Sequence, residues 1–168
     1  MNIKDSAFLV TGGSAGIGKA TAKLLVDKGG KVAITGRDKA KLDKVAKEIN
    51  AFPIHADVAV ENDVHKTYEI FLKEFGKLDC LVNNAGIGDS WNELTELDMK
   101  AFHRVYDVNV FGAALMASEA AKLFKKQKSG NIINIASTAA TKGFANGTVY
   151  ASSKFALRGM TQCWQAEL

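Results

Sequence analysis

The chain alternates short apolar runs with longer amphipathic ones over its whole 168 residues, and this alternation constrains its fold more than any other feature. Ala7 to Val10 reads as a first strand ending at a glycine turn, and Lys19 to Lys28 as a helix stopped by Gly29-Gly30. Lys31 to Thr35 is a second strand. In Lys39 to Ile49 the apolar Leu42, Val45, Ala46 and Ile49 recur at helical spacing. Phe52 to Val58 is a third strand. Asp63 to Phe75 is a helix with Val64, Tyr68, Phe71, Leu72 and Phe75 inward, stopped by Gly76. Leu78 to Val82 makes a fourth strand, Leu97 to about Lys126 one or two helices, and Asn131 to Ala136 a fifth strand. Val149 onward is helical to the last residue.

Crossovers of this length between successive strands require a parallel sheet covered by helices on both faces. Right-handed connections then lead to a doubly wound α/β sheet of the Rossmann type, built as a single domain over residues 1–168. Ligands bind such sheets beyond the carboxyl ends of the strands. The segments just after each strand are therefore where chemistry is to be sought.

Composition narrows the partners. The N-terminal Met-Asn-Ile-Lys-Asp-Ser lacks a signal peptide's long apolar region, and no apolar run is long enough to span a bilayer, so no membrane partner is expected and the cytoplasm is the default compartment. The net charge of +4 comes from lysines scattered along mixed-sign helices such as Lys39 to Lys47. That pattern reads as solvated helix faces and not as a nucleic-acid surface, while a mild positive bias suits a phosphate-bearing small molecule. Cys80 and Cys163 form no C-x-x-C and read as free buried thiols; neither they nor His55, His65 and His103 have metal-ligand spacing, so no metal is expected.

The first strand runs into Thr11-Gly12-Gly13-Ser14-Ala15-Gly16-Ile17-Gly18. Glycines there allow positive φ and close approach of backbone to a ligand. The helix that follows offers unpaired N–H groups and a positive dipole end to a pyrophosphate. At the tip of the second strand stands Gly36-Arg37-Asp38. Asp38 reads as the N-cap of the next helix, Gly36 leaves room, and Arg37 is placed for charge-assisted bonds to a 2′-phosphate. NADP(H) is expected over NAD(H); a solvated Arg37 is the alternative.

Further along come Asp57-Val58, Asn83-Asn84-Ala85-Gly86, Asn109, Ser137, and Tyr150-Ala151-Ser152-Ser153-Lys154. With the glycine loop, these motifs in this order resemble the short-chain dehydrogenase/reductase family in its single-domain form, and the resemblance covers the whole chain. It implies that Gly12, Ser14, Gly16, Ile17 and Gly18 hold the cofactor phosphates and that Asp57 and Val58 flank the adenine. Asn83, Ala85 and Gly86 would lie beside the adenosine ribose. Asn109, Ser137, Tyr150 and Lys154 would form the catalytic tetrad, with Tyr150 and Lys154 also at the cofactor. Each has a plainer alternative: Asp57 as a turn cap, Asn83 and Asn84 as scaffold, Asn109 as a helix irregularity, Ser137 as a loop serine, Tyr150 as packing and Lys154 as a solvated lysine.

Residues four apart share a helix face, so Tyr150 and Lys154 point into one space. Reducing a carbonyl needs a hydride, which the cofactor carries, and a proton, which the protein must give. A free tyrosine is a poor acid–base at neutrality; lowering its pKa by about three units takes roughly 4 kcal/mol of phenolate stabilisation. A close lysine cation is the right kind of source. By resemblance Lys154 bonds the nicotinamide ribose, Ser137 holds the substrate oxygen, and Asn109 supports a water linking Lys154 to solvent.

The same resemblance places further strands and a substrate-binding segment after the helix in which the chain ends, at Leu168. The sheet is therefore expected to be C-terminally incomplete, with the fifth strand as an open edge. What remains of the substrate pocket is Gly88 to Leu94, with Trp91, and Gly143 to Thr148, with Phe144 and Asn146; these do not single out a substrate. Resemblance offers a ketone or 3-oxoacyl compound, or a secondary alcohol in reverse, and a homodimer or homotetramer paired through the last two long helices. Ala113, Ala114, Leu115, Met116, Ala117 and Ala121 would suit that contact, though core packing explains them almost as well. The alternative function is a non-catalytic dinucleotide-binding module or an inactive fragment.

Overall fold

The computed structural model describes residues 2–168. Five parallel strands, β1 (Ala7–Val10), β2 (Lys31–Gly36), β3 (Phe52–His55), β4 (Cys80–Asn83) and β5 (Asn131–Asn134), stand in the order β3-β2-β1-β4-β5. The strand order reverses direction at β1 and β4, which opens a crevice at the carboxyl ends of those two strands. Among the described residues five α-helices connect the strands, α1 (Gly16–Asp27), α2 (Lys39–Ile49), α3 (Glu61–Phe75), α4 (Met99–Tyr106) and α5 (Ala113–Gln127), and a sixth, α6 (Thr148–Glu167), follows β5. This is the doubly wound α/β sheet that the alternation of elements implies. Among the described residues no helix is long and apolar enough to cross a membrane.

The central strands β1 and β4 are buried at every position because both faces are covered. Phe8 and Val10 pack with Ile34, Leu42 and Val45 on one side, while Leu9 and Leu81 pack with Phe71, Met116 and Phe124 on the other. Helix ends follow their capping residues: Asp38 Oδ1 accepts from Lys41 N at 3.0 Å to open α2, and Asp98 accepts from Lys100 N and Ala101 N to open α4. β5 is an edge strand, with Ile133 exposed.

One sequence expectation is corrected. Cys163 is exposed on α6, beyond the reach of the core, whereas Cys80 is buried in β4 and burial pushes its thiol up to about 11. Of the small residues expected to serve a subunit contact, Ala113, Met116 and Ala117 are buried in the molecule's own core; Ala114, Leu115 and Ala121 are half-buried.

Candidate active site

The crevice begins with the glycine loop. Gly12 and Gly16 both have left-handed backbones, with φ of 64° and 50°, a conformation that side chains disfavour. Gly18 is needed for a different reason: a Cβ there would collide with Asn84 Nδ2 and the Gly12 carbonyl. The N-cap of α1, Ala15, has no side chain able to satisfy the first-turn N–H groups, and no acidic residue sits in that turn. Those donors and the exposed Ile17 face the open end of β1 beside the half-buried Ser14. A pyrophosphate fits this cradle, since it supplies the acceptors that the helix lacks.

One threonine locks the loop to the tip of β4. Thr11 Oγ1 accepts from Asn84 N at 3.0 Å and from Ala85 N at 2.9 Å, while Asn84 Nδ2 donates to the carbonyls of Thr11 and Gly12 at 2.9 and 3.2 Å. Asn83 is buried, and its Nδ2 donates to Ala113 O at 3.0 Å and Asn134 Oδ1 at 3.1 Å. Its side chain therefore does the scaffold work of tying β4 to β5 and α5.

At the tip of β2, Asp38 is occupied as the α2 cap, as its position implied. Gly36 lies against Ser14, whose Oγ would be 3.2 Å from a Cβ at that position. Arg37 is largely exposed and pairs loosely with Asp57, Nη1 to Oδ2 at 3.8 Å. Asp57 also accepts from Ala59 N at 3.0 Å, so it caps its turn and faces Arg37 at once. Val58 turns its side chain into the core, which leaves only its backbone for a ligand.

The candidate acid–base groups come from three places. Asn109 lies in a π-helical turn, Asp107–Gly112, between α4 and α5; such wide turns recur at functional sites. It is 1% exposed, and its carboxamide is committed to neighbours. Ile87 N donates to Oδ1 at 2.8 Å, and Nδ2 donates to Ile87 O at 2.9 Å and to Ser153 Oγ at 3.0 Å. Lys154 is 5% exposed and donates to Ile135 O at 2.9 Å, which ties α6 to the tip of β5. Burial lowers the pKa of its ammonium. Its Nζ is 5.8 Å from the centre of the Tyr150 ring, in the first turns of the same helix.

Gly86 marks where these groups meet. A Cβ there would be 3.3 Å from Asn109 Oδ1 and 3.5 Å from Lys154 Nζ. Ser137 opens the short turn Thr138–Ala140, against which α6 packs, and its Oγ accepts from Ala139 N at 3.1 Å with its own proton left to give. Asn109, Lys154 and Gly86 are thus brought together, with Tyr150 one turn from Lys154. Two further residues contribute without having been singled out in the sequence, Thr11 in the lock and Ser153, while Asn84 takes the scaffold role that its motif allowed. Ser153 is fully buried, accepts from Asn109 and donates to Tyr150 O at 2.7 Å. Its only sequence signal is a small hydroxyl three residues after Tyr150.

Fold and crevice together define a dinucleotide-binding α/β domain of the Rossmann type. The family model described as short chain dehydrogenase matches residues 6–168, and the chain belongs to that family. It is 32% identical to zerumbone synthase of Zingiber zerumbet over all of this chain and 65% of that protein. A crystal structure of 3-ketoacyl-(acyl-carrier-protein) reductase from Brucella melitensis complexed with NADH superposes with a TM-score of 0.94 at 36% identity, covering 99% of this chain and 71% of that one. The closed form of serine dehydrogenase complexed with NADP+ superposes with a TM-score of 0.92 at 27% identity, covering 96% and 66%. The chain therefore spans about two thirds of the length of the proteins it matches.

Proposed function

We propose that the protein is an NADP(H)-dependent oxidoreductase acting on a carbonyl or secondary alcohol, of ketone or 3-oxoacyl type. The observation that carries this reading is the convergence of Lys154 Nζ and Asn109 Oδ1 on Gly86, with Tyr150 one turn from Lys154. A pure dinucleotide-binding module would have no use for an ammonium buried at that cost.

The bound cofactor would supply or take the hydride. Gly12, Ser14, Gly16, Ile17 and Gly18 would hold its phosphates, Asp57 and the Val58 backbone its adenine, and Ala85 and Gly86 its adenosine ribose, with Asn83 fixing the strand beneath. The Tyr150 hydroxyl would give or take the proton at the substrate oxygen. Lys154 would stabilise the phenolate and hold the nicotinamide ribose, Ser137 would donate to the substrate oxygen, and Asn109 would keep the Ile87 tip in place and support a water leading from Lys154 to solvent.

Preference for NADP(H) over NAD(H) is supported by Asp38, whose Oδ1 serves as a helix cap, and by the exposed Arg37 that follows Gly36 at the tip of β2. The two superposed structures carry one cofactor each. We take the protein as a cytoplasmic homodimer or homotetramer with a small-molecule substrate. The test is a panel of ketones and 3-oxoacyl thioesters with NADPH and with NADH, read by nicotinamide absorbance. Turnover with NADPH supports the reading. Turnover with NADH alone removes the Arg37 argument, and tight cofactor binding with no turnover favours the binding module.

A further inference from the structure

The loop after β4 carries an aromatic side chain that this chemistry does not use. Trp91 is 51% exposed, and its ring centre lies 6.0 Å from that of Phe144 at an interplanar angle of 27°, and 5.6 Å from that of Tyr150 at 53°. Phe144, also 51% exposed, comes from the loop before α6. Three rings from three segments thus stand in a row that ends on Tyr150.

Two glycines seat Trp91 and Phe144. A Cβ at Gly88 would be 3.0 Å from Trp91 Cζ2 and 3.6 Å from Tyr150 Cδ2, and one at Gly147 would be 2.5 Å from Phe144 Cε2. Each ring therefore lies against bare backbone, which makes the row a built surface and not a pair of loose side chains. Half of its apolar area faces water at a cost that an apolar ligand would relieve.

The nearby ion pair is already committed. Arg104 Nε donates to Asp89 Oδ2 at 3.2 Å, and this bond holds the Asp89 carboxyl below the usual carboxylate range. The pair anchors the loop two residues before Trp91. Between anchor and ring, Ser90 has φ of 62° and a buried Oγ with no partner. Both are costs, and they make Ser90 the place where the backbone gives if Trp91 shifts against a ligand.

We propose that Trp91 and Phe144 form the recognition wall of the substrate site, and that this wall selects carbonyl compounds whose C=O is carried on a rigid apolar ring over open-chain ones. The inference rests on the oxidoreductase reading above. A ring laid on a flat aromatic face loses few rotors, whereas an open chain loses several for the same contact. A ring lying along this row also brings its carbonyl to the Tyr150 end.

The test compares 1-decalone with 2-decanone, matched in carbon number, on the protein with NADPH. The kcat/KM ratio should favour the ring by at least about tenfold, collapse toward unity in Trp91→Ala and Phe144→Ala, and persist in Trp91→Phe. An equal ratio in the wild type, or one unmoved by both alanine variants, overturns the proposal. A second arm needs no turnover. Trp164→Phe leaves Trp91 as the sole tryptophan, and its emission, with NADP+ present, should respond to 1-decalone at concentrations where 2-decanone has no effect. That response without turnover would count against the oxidoreductase reading but for the wall; its absence would count against the wall whatever the turnover.

Discussion

Asn109 and Ile87 hold each other through a closed pair of hydrogen bonds, Ile87 N–H to Oδ1 at 2.8 Å and Nδ2 to the Ile87 carbonyl at 2.9 Å. The remaining Nδ2 proton goes to Ser153 Oγ, whose own proton goes to the Tyr150 carbonyl. Two small side chains therefore join the π-helical turn, the segment after β4 and the helix of Tyr150 into one unit. Asn109 is a positioning residue first, and any role in proton relay depends on that clasp.

Asn109→Ala should cost about 2–4 kcal/mol of stability, because it leaves both backbone groups of Ile87 without partners. Denaturant unfolding would read this as a lower midpoint at unchanged slope. Asn109→Asp should do no better, since a carboxylate cannot donate to Ile87 O or Ser153 Oγ. An unchanged midpoint in both variants would remove the clasp from the account.

Lys154→Met should stabilise the cofactor-free protein at neutral pH, raising Tm by a few degrees, while abolishing turnover. Burial lowers the pKa of this ammonium, so the charged form is disfavoured in the folded state. The penalty is fully present below the folded pKa, where both states hold the proton. It is relieved as pH rises from the folded value toward the ordinary lysine value of about 10.4. The gain in Tm over wild type should therefore shrink as pH rises through that window. A loss of stability at neutral pH would show that the bond to Ile135 O outweighs desolvation.

Gly18→Ala should impair cofactor binding and stability together, because its methyl group collides with Asn84 Nδ2 and the Gly12 carbonyl. Relief requires breaking the Asn84 bonds that close the loop onto β4. Titration of protein fluorescence with NADP+ should show affinity falling by at least about tenfold, in line with the loss of a hydrogen-bonded contact to a charged group. Affinity within error of wild type would contradict the close-approach argument.

Arg37→Ala should weaken NADPH by about tenfold or more and leave NADH within about twofold, since charge-assisted bonds to phosphate contribute about 1.5–3 kcal/mol. Equal losses for both cofactors would assign Arg37 to the Asp57 pair and not to a phosphate.

β1 and α2 were legible to the residue because apolar spacing and capping agree there: Ala7–Val10 is apolar throughout, and Asp38 opens the helix that buries Leu42, Val45, Ala46 and Ile49. Where burial and strand pairing part company, the sequence misleads. Leu78 is buried but lies before β4, because Gln127 Nε2 donates to its carbonyl in place of a neighbouring strand. Val58 is buried but follows β3, carried inward by the Asp57 turn. Apolar spacing did not reveal the π-helical turn within Leu97 to Lys126, since one wide turn barely disturbs it; only the reading of Asn109 as a helix irregularity pointed there. Asn109, Ser137, Tyr150 and Lys154 were proposed from ordered motifs. Thr11 and Ser153 were not, because a hydroxyl becomes informative only once its tertiary partner is known.

The most direct test of the central claim is the turnover of Tyr150→Phe against wild type with NADPH and an accepted ketone, with cofactor affinity measured on both. Wild-type turnover, a loss of at least about a hundredfold in the variant and an unchanged NADPH Kd are the predicted result. A variant that keeps its turnover would contradict the assignment of the proton to Tyr150.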